Sequence, residues 1–204
     1  MTNASNSMWN EIGPRDHFCQ FYDHNDILID SIDQFIGPGL SCGESAIVIV
    51  TPEHLSKLNF KLSARGINVD TAKADNLYIP LDAEETLSKF MNKDWPDQST
   101  FLEVIRGILS RAAHGNRRVR AFGEMVALLW AQGNRPATIR LEKLWNDLIK
   151  SEMFSLFCAY PREAFDVVGC HASLIDICAA HSPIISAGKF EKIGECAKAG
   201  AYCG

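Results

Sequence analysis

Residues 38–57, PGLSCGESAIVIVTPEHLSK, contain the clearest structural pattern in the chain. Glycines predict a turn, and the β-branched run at 46–51 is almost continuously apolar, as in strands covered on both faces. Thr51 followed by Pro52 is typical of a capped helix start. A buried strand that passes directly into a helix indicates an α/β fold.

The same stretch argues against a nucleotide site. A phosphate loop needs glycines whose N–H groups converge on the phosphates, together with a lysine and a hydroxyl. Residues 51–58, TPEHLSKL, contain no glycine, a proline without an N–H, and Glu53, which would repel phosphate. The stretch resembles the entry to a RecA-like ATPase core, but we predict no functional phosphate loop.

Strand and helix patterns alternate along the rest of the chain. A mostly parallel central sheet of at least five strands, with helices on both faces in a three-layer α/β fold, is therefore predicted. The predicted strands are 17–22, 46–51, 77–81, 119–122 and 154–160, and the predicted helices cover 27–36, which ends at Gly37-Pro38-Gly39, then 55–62, 101–112, 136–152 and 165–180.

Composition limits the classes of protein. The chain has 204 residues and a formal net charge of −5, which argues against direct nucleic-acid binding. It shows no secretory signal and no apolar run long enough for a membrane span, so we expect a cytoplasmic protein with reduced cysteines. We expect a flexible segment at 1–14, one domain at 15–180 and a helical tail at 181–204.

Five motifs occur in an order that resembles one family. The ordered set resembles the MEDS domain, named for sensory domains in methanogens, methylotrophs and a dichloromethane-responsive repressor. The motifs are His17-Phe18-Cys19-x-Phe21-Tyr22, Gly39-Leu40-x-x-Gly43-Glu44, Val119-Arg120-x-x-Gly123-Glu124, Leu141-Glu142-x-x-x-Asn146 and Leu156-Phe157-Cys158-Ala159-Tyr160.

The resemblance implies a degenerate RecA-like fold that acts as a non-catalytic sensory module. Its expected ligand is a small molecule, such as a hydrocarbon derivative or another small metabolite. The signal would pass to a histidine kinase or a transcription regulator, or through a homo-oligomer. The alternative is a ligand-free interaction module that regulates such a partner through an exposed apolar helix face.

Several polar residues are candidates for ligand binding. Glu124 follows the fourth predicted strand, and ligands of doubly wound sheets sit at the carboxyl ends of the strands. Arg120 shares a strand face with Glu124 and is one candidate partner for it, beside Asn146, Tyr160 or a ligand. The full set of predicted ligand-binding residues is His17, Tyr22, Arg120, Glu124, Glu142, Asn146 and Tyr160. Each of the carboxylates is also compatible with a simpler role, at a helix start or a solvated face.

Metal and catalytic chemistry receive less support from the sequence. His17-x-Cys19 lacks a second ligand pair at standard spacing, so we predict no metal site and no cofactor. Cys158 would need His17 or His171 beside it to act as a nucleophile, and its apolar flanks favour an inert thiol. An enzyme with Glu124 and Glu142 as an acid and base pair is the least favoured hypothesis.

Overall fold

The computed structural model describes residues 9, 12–165, 177–181, 184–186 and 189–191. The strands are β1 His17–Tyr22, β2 Ser45–Val50, β3 Tyr78–Asp82, β4 Met91–Asn92, β5 Trp95–Pro96, β6 Val119–Gly123, β7 Phe154–Pro161, β8 Ile184–Ser186 and β9 Lys189–Glu191. The helices are α1 Asn25–Ser41, α2 Pro52–Ala64, α3 Val69–Ala74, α4 Ala83–Ser88, α5 Gln98–Ala112, α6 Met125–Ala131 and α7 Arg135–Ser151.

The main sheet confirms the predicted α/β class. Its strand order is β3-β2-β6-β7-β1-β8-β9, and the five central strands are all parallel. In the register of the β1–β7 pair, His17 lies opposite Leu156 and Cys19 opposite Cys158. This pairing brings the first strand of the chain next to a strand that begins about 140 residues later, and it positions the site described below.

Helices cover the sheet on both faces, because the strands bury apolar side chains on both sides. Helices α1 to α3 pack on one face around an aromatic group that includes Phe157. Helices α4 to α7 pack on the other face, where Leu156 and Cys158 point. Alternate residues of β7 therefore serve different layers, as the period of a strand requires. None of the helices described is long and apolar enough to cross a membrane.

The glycines before β2 have a different role from the one predicted. Helix α1 does not end at Gly37-Pro38-Gly39 but continues to Ser41, so the prediction of a turn there is wrong. A Cβ atom on Gly39 would lie 2.7 Å from Glu44 Oε2 and 2.8 Å from Arg120 Nε. Gly39 therefore leaves room for an ion pair beneath the helix. The turn itself occurs at Gly43, whose φ of +81° favours glycine.

The end of the described chain also differs from the prediction. Within the segment predicted as a helical tail, residues 184–186 and 189–191 form strands β8 and β9, which extend the main sheet beyond β1. Of the predicted helix at 165–180, residues 177–180 are helical, and 166–176 lie outside the described residues. The short β4–β5 hairpin was not predicted.

The cysteines described are Cys19, Cys42, Cys158 and Cys178, and all four carry free thiols. Cys170, Cys196 and Cys203 lie outside the described residues, as does His171. The expectation that the cysteines are reduced stays a prediction, which thiol titration of the denatured protein would check.

Candidate functional site

A group of polar side chains is buried beneath α7, on the face of the sheet that α4 to α7 cover. We call His17, Glu142, Cys158, Tyr160 and His181 the polar cluster; all five are at least 95 % buried. His17 opens β1, and Cys158 and Tyr160 point to the same face of β7 because they are two residues apart. Glu142 projects from α7, and His181 follows the helical residues 177–180.

Hydrogen bonds fix the orientation of the His17 ring. Asn146 donates from Nδ2 to the carbonyl oxygen of Ala180 at 2.8 Å, which leaves its Oδ1 as an acceptor 3.0 Å from His17 Nδ1. His17 Nδ1 must therefore carry the proton and donate. The other ring nitrogen, Nε2, faces Cys158 Sγ at 3.4 Å and Glu142 Oε2 at 3.4 Å.

Glu142 is the acceptor at the centre of the cluster. Tyr160 donates its hydroxyl hydrogen to Oε1, and His181 Nε2 lies 3.3 Å from Oε2. Burial alone would raise the pKa of Glu142, but the charge and close approach of His181, together with the hydrogen bond from Tyr160, hold that pKa below its ordinary value. Glu142 is thus a buried carboxylate at neutral pH.

The two histidines of the cluster carry different charges. Burial, reinforced by the positive charge of His181, lowers the pKa of His17 to about 3, so His17 is neutral. Burial would also lower the pKa of His181, but Cys19 and Glu142 together raise it well above 6.5. An anionic Glu142 therefore lies between a neutral and a cationic imidazole.

Cys158, His17 and Asn146 have the connectivity of a thiol, a base and an orienting amide, which is typical of cysteine nucleophiles. Here the thiol is fully buried. Burial, followed by the nearby charge of Glu142, raises the pKa of Cys158 well above its ordinary value. The geometry places His17 beside Cys158, but the thiol is protonated and withdrawn from solvent, as its apolar flanks suggested.

A pocket of about 320 Å³ lies between α7 and residues 177–180 and reaches the outer side of the cluster. We call it the α7 pocket. Glu142 and Asn146, four residues apart on one helical face, line it together with Lys143. Its remaining walls are apolar and consist of Ile139, Ile177, Ala179 and Ala180.

Glu124 belongs to a second, separate group at the carboxyl end of the strands. Its carboxylate accepts hydrogen bonds from the Thr51 N–H at 2.8 Å and from His54 Nδ1, and it is 4 % exposed. It thereby links the end of β6 to the first turn of α2. Tyr22 ends β1 at the same edge of the sheet, and burial, followed by the charges of Glu124 and Glu163, raises its pKa.

Arg120, one of the candidate partners of Glu124, binds other groups in the structure. Arg120 donates from Nε to Glu44 and from Nη1 to the carbonyl oxygen of Phe35 at 2.8 Å. It lies near the amino end of β6, opposite Ala46, whereas Glu124 follows the carboxyl end of that strand. Sharing a strand face did not bring the two side chains together, because they are four residues apart along an extended strand.

The structure divides the seven predicted ligand-binding residues into three groups. His17, Glu142, Asn146 and Tyr160 come together at the polar cluster. Glu124 and Tyr22 lie at the strand ends, and Arg120 lies beneath α1. The sequence analysis missed His54 and His181. His54 sits in the first turn after a buried strand, which was a usable signal, whereas no spacing pattern indicated His181.

The pH dependence of stability reports on the His54–Glu124 pair. The hydrogen bond to Glu124 raises the pKa of His54 against the effect of burial, and Glu124 and Glu53 raise it further while Lys57 lowers it. Because the pKa of His54 is raised in the folded state, the protonated ring stabilises the protein fully at pH values below the unfolded pKa of about 6.5. This contribution is lost as the pH rises through the folded pKa.

We therefore expect His54→Gln to flatten the decline of unfolding free energy as pH rises above about 6.5, measured by urea denaturation. His114→Gln, at an exposed histidine, is the matched control and should leave the decline unchanged. An unchanged pH profile in His54→Gln would show that the pair does not form as described.

The fold and the cluster together define a three-layer α/β domain with a buried polar group behind an open pocket. The sequence model of the family described as "MEthanogen/methylotroph, DcmR Sensory domain" (MEDS) matches residues 16–182. The chain therefore belongs to the MEDS family of sensory domains, and the predicted resemblance is confirmed. A comparison with curated proteins gave no match.

Proposed function

We propose that this chain is a sensory domain that binds a small molecule in the α7 pocket. Family membership supports a sensory or signalling role. The observation that carries the proposal is that Glu142 and Asn146 line the pocket on one side and bond to the polar cluster on the other. A molecule in the pocket would therefore contact residues that are bonded to strands in the centre of the sheet.

The lining indicates the chemistry of the ligand. Four apolar residues form most of the wall, and a carboxylate, an amide and a lysine lie along α7. Small-molecule sites of this kind bury an apolar body and orient it with a few polar groups. A hydrocarbon derivative with one polar substituent fits this arrangement, in line with what the family resemblance implies.

Asn146 offers a route for the signal. It donates to Ala180 on one side of the pocket and accepts from His17 at the start of β1. A ligand that separates residues 177–180 from α7 would break the first bond and free the amide to rotate, which would remove the acceptor from His17. Coupling of this kind is typically about 1–3 kcal/mol.

We further propose that the output passes to a partner protein, a histidine kinase or a transcription regulator, or through a homo-oligomer, without catalysis, a bound organic cofactor or direct contact with DNA. The described free thiols support a reducing compartment such as the cytoplasm.

Arg120 and Glu124, each already paired within the protein, would have supporting roles in this account, and Tyr22 would lie outside the ligand site.

A ligand-free interaction module is the second candidate function. Phe60 is 76 % exposed on α2, and Ile27 is 42 % exposed on α1, which packs against α2. Exposed apolar side chains are common on partner-binding surfaces, although isolated ones are also normal on any soluble protein. The two functions differ in their response to small molecules.

We expect a thermal-shift screen of small metabolites, halocarbons and nucleotides to find apolar compounds with one polar group that raise the melting temperature. The shift should grow with the logarithm of free ligand concentration, because ligand binds only the folded state. Nucleotides should give no shift, since residues 51–58 form no glycine nest. A screen in which no apolar compound stabilises the chain would favour the interaction module instead.

A further inference from the structure

The polar cluster contains four side chains with the donor atoms of a metal site. One ligand atom from each of His17, Glu142, Cys158 and His181 lies within 4.8 Å of the other three. The four residues come from four separate parts of the fold, namely the start of β1, the middle of α7, the middle of β7 and the segment after residue 180. The spacing criterion that argued against a metal applied to neighbours in sequence and could not detect this group.

Both imidazole rings are oriented as metal ligands usually are. A metal-bound histidine normally donates its remote N–H to a carbonyl or carboxylate, which directs the other nitrogen at the metal. His17 Nδ1 donates to Asn146 Oδ1, and His181 Nδ1 lies 2.7 Å from the carbonyl oxygen of Ile177. The Nε2 atoms of both rings consequently point toward Glu142 Oε2.

One donor atom of the cluster lacks a hydrogen bond within the described part of the chain, and another contact is long. His181 Nε2 is buried and makes no hydrogen bond of acceptable geometry to any described residue, although it is 3.3 Å from Glu142 Oε2. Cys158 Sγ is 3.8 Å from Glu142 Oε2. Buried polar atoms that lack good partners are costly, and an ion that all four atoms face would remove that cost.

Four of the six separations among the donor atoms are within about 0.2 Å of those in a tetrahedron around one ion, and every pair lies within 4.8 Å. Zinc–nitrogen and zinc–oxygen distances of about 2.0–2.1 Å and a zinc–sulfur distance of about 2.3 Å place tetrahedral ligand atoms about 3.3–3.6 Å apart. The observed separations from Glu142 Oε2 are 3.4 Å to His17 Nε2, 3.3 Å to His181 Nε2 and 3.8 Å to Cys158 Sγ. His17 Nε2 and Cys158 Sγ are 3.4 Å apart.

We propose that His17, Glu142, Cys158 and His181 bind one divalent transition-metal ion, with Zn²⁺ as the ion that best fits two imidazoles, a thiolate and a carboxylate. The proposal deepens the proposed function, because it places a metal at the inner end of the same site, behind the α7 pocket. Four protein ligands leave no open position, so the ion has a structural or sensing role rather than a catalytic one.

Binding of the ion has a defined proton balance. Cys158 enters as a thiol and becomes a thiolate, and its proton is released to solvent together with the Nε2 proton of His181. Tyr160 keeps its hydrogen bond to Glu142 Oε1 and orients the carboxylate toward the ion. The metal would join β1, β7, α7 and the segment that forms one wall of the pocket, and would thereby couple them.

The test uses the full chain, stripped of metal with a chelator and then titrated with Co²⁺ as a spectroscopic probe. We expect one Co²⁺ per chain in the polar cluster, the strong visible absorption of a tetrahedral site, a thiolate-to-cobalt charge-transfer band, and displacement by Zn²⁺. Cys158→Ser should abolish the charge-transfer band, and His181→Gln should weaken binding by more than about 100-fold.

Two further variants provide a control and an independent measurement. Cys42→Ser removes an exposed free thiol and should change neither the band nor the affinity. Asn146→Ala keeps all four donor side chains but removes the acceptor of His17 Nδ1 and the bond to Ala180. It should weaken binding by about 10–100-fold, and it provides a second measurement if His181→Gln fails to fold. A folded chain that binds no Co²⁺, or whose binding is unaffected by both Cys158→Ser and Asn146→Ala, would overturn the proposal. Organic ligands that still stabilise such a chain would leave the proposed function intact.

Discussion

Replacing Glu142 with alanine is expected to lower the free energy of unfolding by about 3–5 kcal/mol in chelator-treated protein, as is typical when one partner of a buried charge pair is removed. The carboxylate is fully buried and accepts the hydroxyl of Tyr160. Its loss would leave a cationic His181 and the Tyr160 hydroxyl without their acceptor. Urea denaturation followed by circular dichroism measures the change.

Glu142→Gln is the matched control. Glutamine keeps the shape and can still accept the Tyr160 hydrogen bond, but it removes the charge that faces His181. We expect a cost clearly smaller than that of alanine. Equal effects of the two substitutions would show that the charge alone matters, and no effect of either would show that the cluster is not formed.

Phe157→Ala is expected to lower the free energy of unfolding by about 3–5 kcal/mol. This residue lies on the face of β7 opposite to the polar cluster. The Phe157 ring is fully buried and contacts four aromatic rings at centroid distances between 4.9 and 5.7 Å, those of Trp9, Phe18, Phe35 and Phe122. Truncation would leave a cavity at the centre of this group, and close packing prevents the neighbours from filling it completely.

Phe60→Ala is the matched control, because the same substitution there acts on an exposed ring. It should change the unfolding free energy by no more than about 0.5 kcal/mol. A small effect at Phe157 as well would contradict the description of that face as a packed core. The denaturation measurement is the same for both variants.

Local patterns were sufficient to predict the central strands. The bounds of β1 agree with the prediction, and those of β2, β6 and β7 agree to within one residue, because their apolar runs are bounded by polar or glycine-containing segments. The end of α1 was mispredicted for a tertiary reason. A side chain at position 39 would collide with the Glu44–Arg120 pair, so the glycine there serves packing inside the helix, which no local rule reveals.

The polar cluster could be predicted only in part. Glu142 and Asn146 were recognisable as a pair on one helix face, and His17 and Tyr160 as strand-end residues. Their convergence depends on the parallel pairing of β1 with β7, which joins distant parts of the sequence. His181 reaches the cluster from beyond α7 and β7, and no spacing in the sequence relates it to the other members, so only the folded chain identifies it as a member.

The central claim, that the α7 pocket is the sensing site, is tested most directly by calorimetric titration of the best stabilising compound from the screen. The comparison needs three proteins. They are the wild type, Ile139→Trp, which enlarges an apolar wall residue that lies outside the polar cluster, and Glu124→Gln at the separate strand-end group. We predict at least a tenfold loss of affinity, about 1.4 kcal/mol, in Ile139→Trp and unchanged affinity in Glu124→Gln. Unchanged binding in Ile139→Trp together with a loss in Glu124→Gln would contradict the account and place the ligand at the ends of the strands.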